Sequence, residues 1–228
     1  RIYSSGSYQA LDMDATDGTD VAQMLRFYAK GWDMVNHTIN HLAASALTSE
    51  AAIVYEVEAA RAWQYENDMI RGAEFYASPQ GSSSRLSEAV IKACGFKLQR
   101  HARKWNVSVT PWGLDNPQHV GSLDISSNAT GAYSTTTSGA SATVTGLQTA
   151  SKISRCIDIA IAYGATVFPF WHGITTVGDA GTGETLTGDN LLMYASAFTQ
   201  AMAYIRAREQ AGELTVCRGV TGFYYGSN

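Results

Sequence analysis

A chain of 228 residues with a formal charge of −4 and 16% charged residues fits one large domain spanning 1–228 and offers no basic surface to nucleic acid. No apolar run approaches the roughly 20 residues that span a bilayer, so no membrane segment is expected, nor is a targeting segment. Three cysteines, Cys94, Cys156 and Cys217, cannot all pair within one chain and keep no metal-ligand spacing to a histidine; they read as free thiols.

Short apolar runs that end in polar or glycine-rich residues alternate with segments of helical period, the pattern of repeated β-α units around a parallel sheet. Residues 1–5 read as a strand and 19–30 as a helix ended by Gly31. A strand over 33–36 delivers His37. The helix over 49–70 begins at Thr48-Ser49-Glu50 and turns Ile53, Val54, Val57, Ala60 and Trp63 toward a core. A strand over 73–77 runs into Ser78-Pro79-Gln80-Gly81, read as a turn without a regular element. Helix 84–94 stops at Gly95, and strands are expected at 97–102 and 107–111, the second closed by Trp112-Gly113-Leu114-Asp115. The stretch 121–146, rich in Ser, Thr, Gly and Ala, reads as an insertion or hairpin loop. Helix 148–163 leads into a buried strand over 165–172 that ends in His172, a helix over 189–211 ends at Gly212, and 214–217 reads as a closing strand. His37, Pro79, Asp115 and His172 all follow strands, and in parallel α/β barrels chemistry collects at those carboxyl ends.

Within this frame the residues His37-Thr38-Ile39-Asn40-His41 stand out. On a helical turn, histidines four apart share a face, and neutral imidazole suits zinc and its neighbours. Position 38 is Thr, so the glutamate base of the H-E-x-x-H metalloproteases is missing. Spacing alone leaves metal binding and ordinary hydrogen bonding by two of five histidines equally open.

Three segments in order resemble the NodB-homology polysaccharide deacetylases, carbohydrate esterase family 4. Gly31 to His41 is similar to the family's strand leading into N-H-[ST]-x-x-H. Phe75-Tyr76-Ala77-Ser78-Pro79-Gln80-Gly81 is similar to its aromatic-rich strand running into P-x-G. Phe168-Pro169-Phe170-Trp171-His172-Gly173 is similar to its apolar strand ending in histidine. The resemblance implies an α/β fold, a distorted (β/α) barrel whose first strand is missing from this chain. It implies a metal-dependent hydrolase that removes acetyl groups from a polysaccharide by means of a metal-activated water. His37 and His41 are the implied ligands of a divalent metal, most simply zinc, with cobalt and nickel also compatible. Gln80 is the implied oxyanion donor through its backbone N–H, His172 the general acid and Asp115 the residue that orients it. Trp171, Tyr76, Pro79 and Gly81 are the implied substrate contacts, with a core role equally open for Trp171 and Tyr76. The implied partner is an acetylated polysaccharide, in an extracytoplasmic, secreted or virion-associated setting.

Two departures accompany the resemblance. The family's strand-borne Asp-Asp pair, which supplies a base and a third ligand, has no match here; Asp12, Asp14 and Asp17 lie too close to His37 and in a stretch that reads as loop. Three explanations are open: the pair lies on an upstream cleaved segment that stays associated, the chain is a truncated piece such as a fragment of a phage tail-associated deacetylase, or the chemistry has been lost; the Arg start favours the first two. The second departure is Ala77, where many members carry an arginine. The alternative reading is a non-catalytic glycan- or receptor-binding module that retains the deacetylase fold.

Overall fold

The structure is a computed structural model that describes residues 21–102, 110–111, 120–124, 150–170, 173–175, 192–217 and 224. The chain gathers into two compact units, one of residues 1–103, 113–121 and 216–228, the other of 104–112 and 122–215. Expectations for residues 1–20, for 112–119, including Asp115, and for Trp171 and His172 lie outside the described residues.

In the first unit, helix α1 spans Val21–Ala29, α2 Glu50–Glu66 and α3 Arg85–Ala93; strand β1 spans Phe75–Ala77 and β2 Leu98–Ala102. Local chemistry sets the helix starts. The Ser49 side chain accepts from Ala52 N–H at the head of α2, and Ser84 and Ser87 form a reciprocal capping box at the head of α3. α2 ends four residues short of the expected 70. Asn67 caps it, Asp68 adopts φ 57°, and Met69 N–H reaches back to Gln64 O at 2.8 Å while Asp68 N–H reaches Tyr65 O at 3.1 Å. That pair of bonds is a Schellman ending with an aspartate in the position glycine usually takes.

β1 and β2 pair in parallel, Phe75 with Leu98, Tyr76 with Gln99 and Ala77 with Arg100. On the other side of β1 the expected strand over 33–36 is reduced to a single parallel bridge between Asn36 and Tyr76. Its backbone is occupied elsewhere: Met34 N–H bonds Arg71 O at 3.2 Å, and Met34 O accepts from Gln64 Nε2 at 2.6 Å. Asn36, β1 and β2 thus run in the same direction with α2 and α3 as the crossovers, so the segments that follow them emerge at one end of the sheet. Ile53, Val57, Tyr76, Val90, Ile91 and Phe96 form the core between the sheet and these helices, and Met24, Met34 and Met69 form a second cluster.

Gly72 holds the close approach between this sheet and residue 34. Its φ is +96°, and a Cβ there would sit 2.7 Å from Met34 O. Gly72→Ala combines a left-handed penalty with a backbone clash, and is expected to cost at least about 2 kcal/mol, read as a lowered urea midpoint. A midpoint within about 0.5 kcal/mol of the parent would contradict this packing.

The second unit contains β3 (Thr110–Pro111), most of β4 (Val120–Asp124, whose residues 120–121 fall in the first unit), α4 (Ala150–Ala162), β5 (Ala165–Thr166), β6 (Pro169–Phe170), β7 (Gly173–Thr175), β8 (Leu192–Tyr194) and α5 (Ala195–Gln210). α4 and α5 pack through Ile153, Cys156, Ala197 and Ala201. Several expectations change here. Residues 121–124 belong to strand β4, which pairs in parallel with β6 (Leu123 with Pro169), so any insertion starts later than 121. The strand expected over 165–172 breaks in two. β5 pairs antiparallel with β3 while β6 pairs parallel with β4, and Pro169, which has no N–H, stands at the change of partner. Residues 192–194, expected as helix, form β8 beside β7. No regular element forms over 214–217. The three cysteines are free, with Cys156 buried.

Candidate metal and active site

The two histidines sit where the chain leaves the sheet. Asn36 O accepts from Ala77 N–H at 2.8 Å and Asn36 N–H donates to Phe75 O at 3.0 Å, which sets residue 37 beside the end of β1. The histidines do not lie on a helical turn: Thr38 has φ 67° and His41 φ 56°, and the segment is a loop. A branched residue such as Thr rarely adopts a positive φ, and such strain persists only where its surroundings hold it. Here they do. The Asn36 side chain donates to Val57 O at 2.9 Å and accepts from Thr38 N–H at 3.0 Å. Ile39 N–H donates to Glu56 O at 3.0 Å. The Glu56 carboxylate accepts from Asn40 N–H at 3.0 Å and Asn40 Nδ2 at 2.7 Å.

The loop nonetheless achieves what a helical turn would. The His37 and His41 rings lie with centroids 4.9 Å apart and planes at 68°. With metal–nitrogen bonds of about 2.0–2.1 Å, two imidazoles on one tetrahedral ion place their centroids about 5 Å apart, so the pair has the spacing of two ligands. His37 Nδ1 lies 2.6 Å from Ala77 O. A carbonyl only accepts, so Nδ1 carries the proton and the lone pair of the neutral ring is on Nε2. A backbone carbonyl fixing the far nitrogen is the usual outer partner of a metal-ligating histidine. Among the described residues, no group of three His, Cys, Asp or Glu side chains is placed to hold an ion. The histidines therefore fit as two ligands, and a third would come from outside that set.

Burial lowers the pKa of His41 below its ordinary 6.5, favouring the neutral, ligating form. The sign for the metal-free chain follows. The unfolded state takes up a proton on His41 near pH 6.5 and the folded state only at lower pH, so this contribution is intact above 6.5 and is lost as pH falls toward the folded value. Between about pH 7 and pH 5, stability should fall less steeply in His41→Gln than in the parent. Equal slopes in urea melts would remove this assignment.

Pro79-Gln80-Gly81, expected as an irregular turn, is a single 3₁₀ turn in which Gln80 adopts φ 53°. Its internal bonds come from Gly81 N–H to Ser78 O and Ser82 N–H to Pro79 O. Gln80 is exposed and Gly81 half-buried, whereas Pro79 is buried and shapes the turn more than it offers a contact surface. Ser45 N–H meets Ser82 Oγ at 3.5 Å, so the loop that follows the histidines touches the loop that follows β1. Tyr76 corrects an expectation. It is 1% exposed, packs edge-on against Phe96, and belongs to the core, not to a sugar-facing wall. Its burial raises the hydroxyl pKa above the ordinary 10, with the nearby Ser78 partly opposing the shift.

Sequence reasoning passed over Glu56, Asn40 and Arg100. Arg100 is 6% exposed and stands in register with Ala77, the position at which the family resemblance lacks its arginine. A signal for Glu56 existed: it follows Ile53 by three and precedes Ala60 by four, a carboxylate on the apolar face of α2.

No family model matches the chain, and no curated protein matches it. One solved structure that is similar is the Streptococcus pyogenes deacetylase PplD in complex with acetate. It is 13% identical, the match covers 51% of this chain and 48% of that one, and the TM-score is 0.42. The matched part thus spans about half of the other protein's length, and a likeness at this level assigns no activity.

Proposed function

We propose that this chain is a metal-dependent deacetylase of the polysaccharide deacetylase type, a distorted (β/α) barrel acting on an acetylated polysaccharide. The observation that carries the reading is the pair of imidazoles 4.9 Å apart, with the outer nitrogen of His37 bonded to Ala77 O at the end of a parallel strand. His37 and His41 would hold a divalent ion of the zinc type, the two-imidazole part of an open catalytic site. Once bound, such an ion lowers the pKa of a water and polarises an acetyl carbonyl.

The remaining tasks fall to side chains and backbone. The turn after β1 uses the N–H groups of Gly81 and Ser82 for its own bonds, and the N–H of Gln80 is the proposed donor to the developing oxyanion. His172 is the proposed acid that protonates the leaving group, oriented by Asp115, and Trp171 and Gly81 are proposed to line the substrate. An aspartate from a further segment of the same protein would complete the ligand set and supply the base.

The experiment is acetate release from N-acetylated and O-acetylated glycans. Release should stop on chelation and return with Zn²⁺ or Co²⁺. Absence of acetate with metal restored and with the upstream segment present would remove the enzyme reading. A second reading rests on the absence of a three-ligand group among the described residues. Under it the chain is a glycan- or receptor-binding module on the same fold. Glycan binding that survives chelation without acetate formation would favour it.

A further inference from the structure

We propose that Glu56 is the positioning residue of the histidine site, holding His37 and His41 at chelating distance from a turn of α2; this rests on the metal reading above. Glu56 is 3% exposed and lies on the face of α2 that carries Ile53 and Val57 into the core. A carboxylate in that position forgoes hydration, a cost an apolar side chain of similar size would avoid. What it gains is the loop. Its two oxygens take both available donors of Asn40, the backbone N–H on Oε2 and the side-chain amide on Oε1. Its carbonyl takes Ile39 N–H, and the next carbonyl, Val57 O, takes the Asn36 side chain.

Every residue from 36 to 40 is thereby tied down. Asn36, Ile39 and Asn40 bond to one turn of helix, Thr38 N–H bonds to Asn36, and His37 bonds to Ala77. The two residues of the loop with positive φ, Thr38 and His41, flank the Ile39-Asn40 pair that α2 grips. Strained conformers relax when their restraints are removed, so the grip on Asn40 is what keeps His41 turned toward His37. The side chain matters as well as the helix. A glutamine at 56 retains one acceptor and presents an amide N–H₂ to a donor, so one of the two Asn40 bonds is lost.

Co²⁺ titration, followed by ligand-field absorption and calorimetry, tests this on the full chain. Glu56→Gln and Asn40→Ala should each weaken Co²⁺ binding about 10–100-fold, as losses of outer partners do. The double variant should be no weaker than the worse single one by more than about 3-fold, because both changes break one unit. Asn40 is exposed, so its variant carries the test if Glu56→Gln does not fold. Binding within about 3-fold of the parent in the variants that fold would overturn the proposal. If the parent takes up no Co²⁺, the metal reading fails on its own, and nitrogen NMR of the His37 ring decides. Loss of the fixed Nδ1–H tautomer in the variants supports the positioning role, and an unchanged ring spectrum overturns it.

Discussion

His37→Ala is expected to lower acetate release by at least about 100-fold, some 3 kcal/mol of transition-state stabilisation, and to abolish tight metal uptake. The size follows from the site's composition. The His37 and His41 rings are 4.9 Å apart, and among the described residues no third His, Cys, Asp or Glu side chain joins them to hold a metal, so loss of either imidazole removes half of the ligands in that set. His37 is the sharper of the two tests because its tautomer is set by Ala77 O. The structural cost should be small. The lost bond to Ala77 O is worth about 1 kcal/mol, or a fall of about 2–4 °C in Tm. A large drop in metal content and acetate release at nearly constant Tm separates loss of the site from loss of the fold. Acetate release unchanged from the parent would show that the histidines are not the centre of the chemistry.

The second large effect concerns stability. Asp33 is 1% exposed and receives Arg71 Nε at 3.0 Å. The same guanidinium donates to Trp32 O at 2.8 Å and to Tyr28 O, and lies 4.1 Å over the Tyr28 ring. Arg71→Ala would leave a buried carboxylate and two carbonyls without these donors. The expected loss is about 3 kcal/mol or more, read as a lowered urea midpoint. Removing the charge as well, in Asp33→Asn/Arg71→Ala, should recover part of it, since part of the single variant's cost is the weaker compensation of a buried charge. A single variant within about 1 kcal/mol of the parent would mean that water reaches Asp33.

The helices were legible because their signals are local. Thr48-Ser49-Glu50 announced the start of α2, Gly95 the end of α3, and the 3.6-residue period named Ile53, Val57 and Ala60 as core. Strands were less so, because a strand is made by its partner. Residues 33–36 have the composition of a strand but give part of their backbone to Arg71 and Gln64, and 214–217 forms no ladder. Residues 192–194 read as helix continue into α5, yet they pair with β7. Within the site, the motif drew attention to His37, His41 and the turn at Gln80. It left Tyr76 open between wall and core because an aromatic at a strand end looks alike from either face, and burial decides for the core.

The amino-acid sequence by itself determined the order of β-α units in the first unit, the proximity of two imidazoles and a sharp turn after β1. All of these depend on residues within a few positions of one another. Only the tertiary structure decided how the imidazoles meet. Their approach is made by a strained loop, not by a helical turn, and is set by Ala77 and Glu56, 40 and 16 residues from the partners they hold. A left-handed Thr38 is unfavourable in isolation, and it becomes the stable choice only when buried donors and acceptors from α2 and β1 have nowhere else to bond.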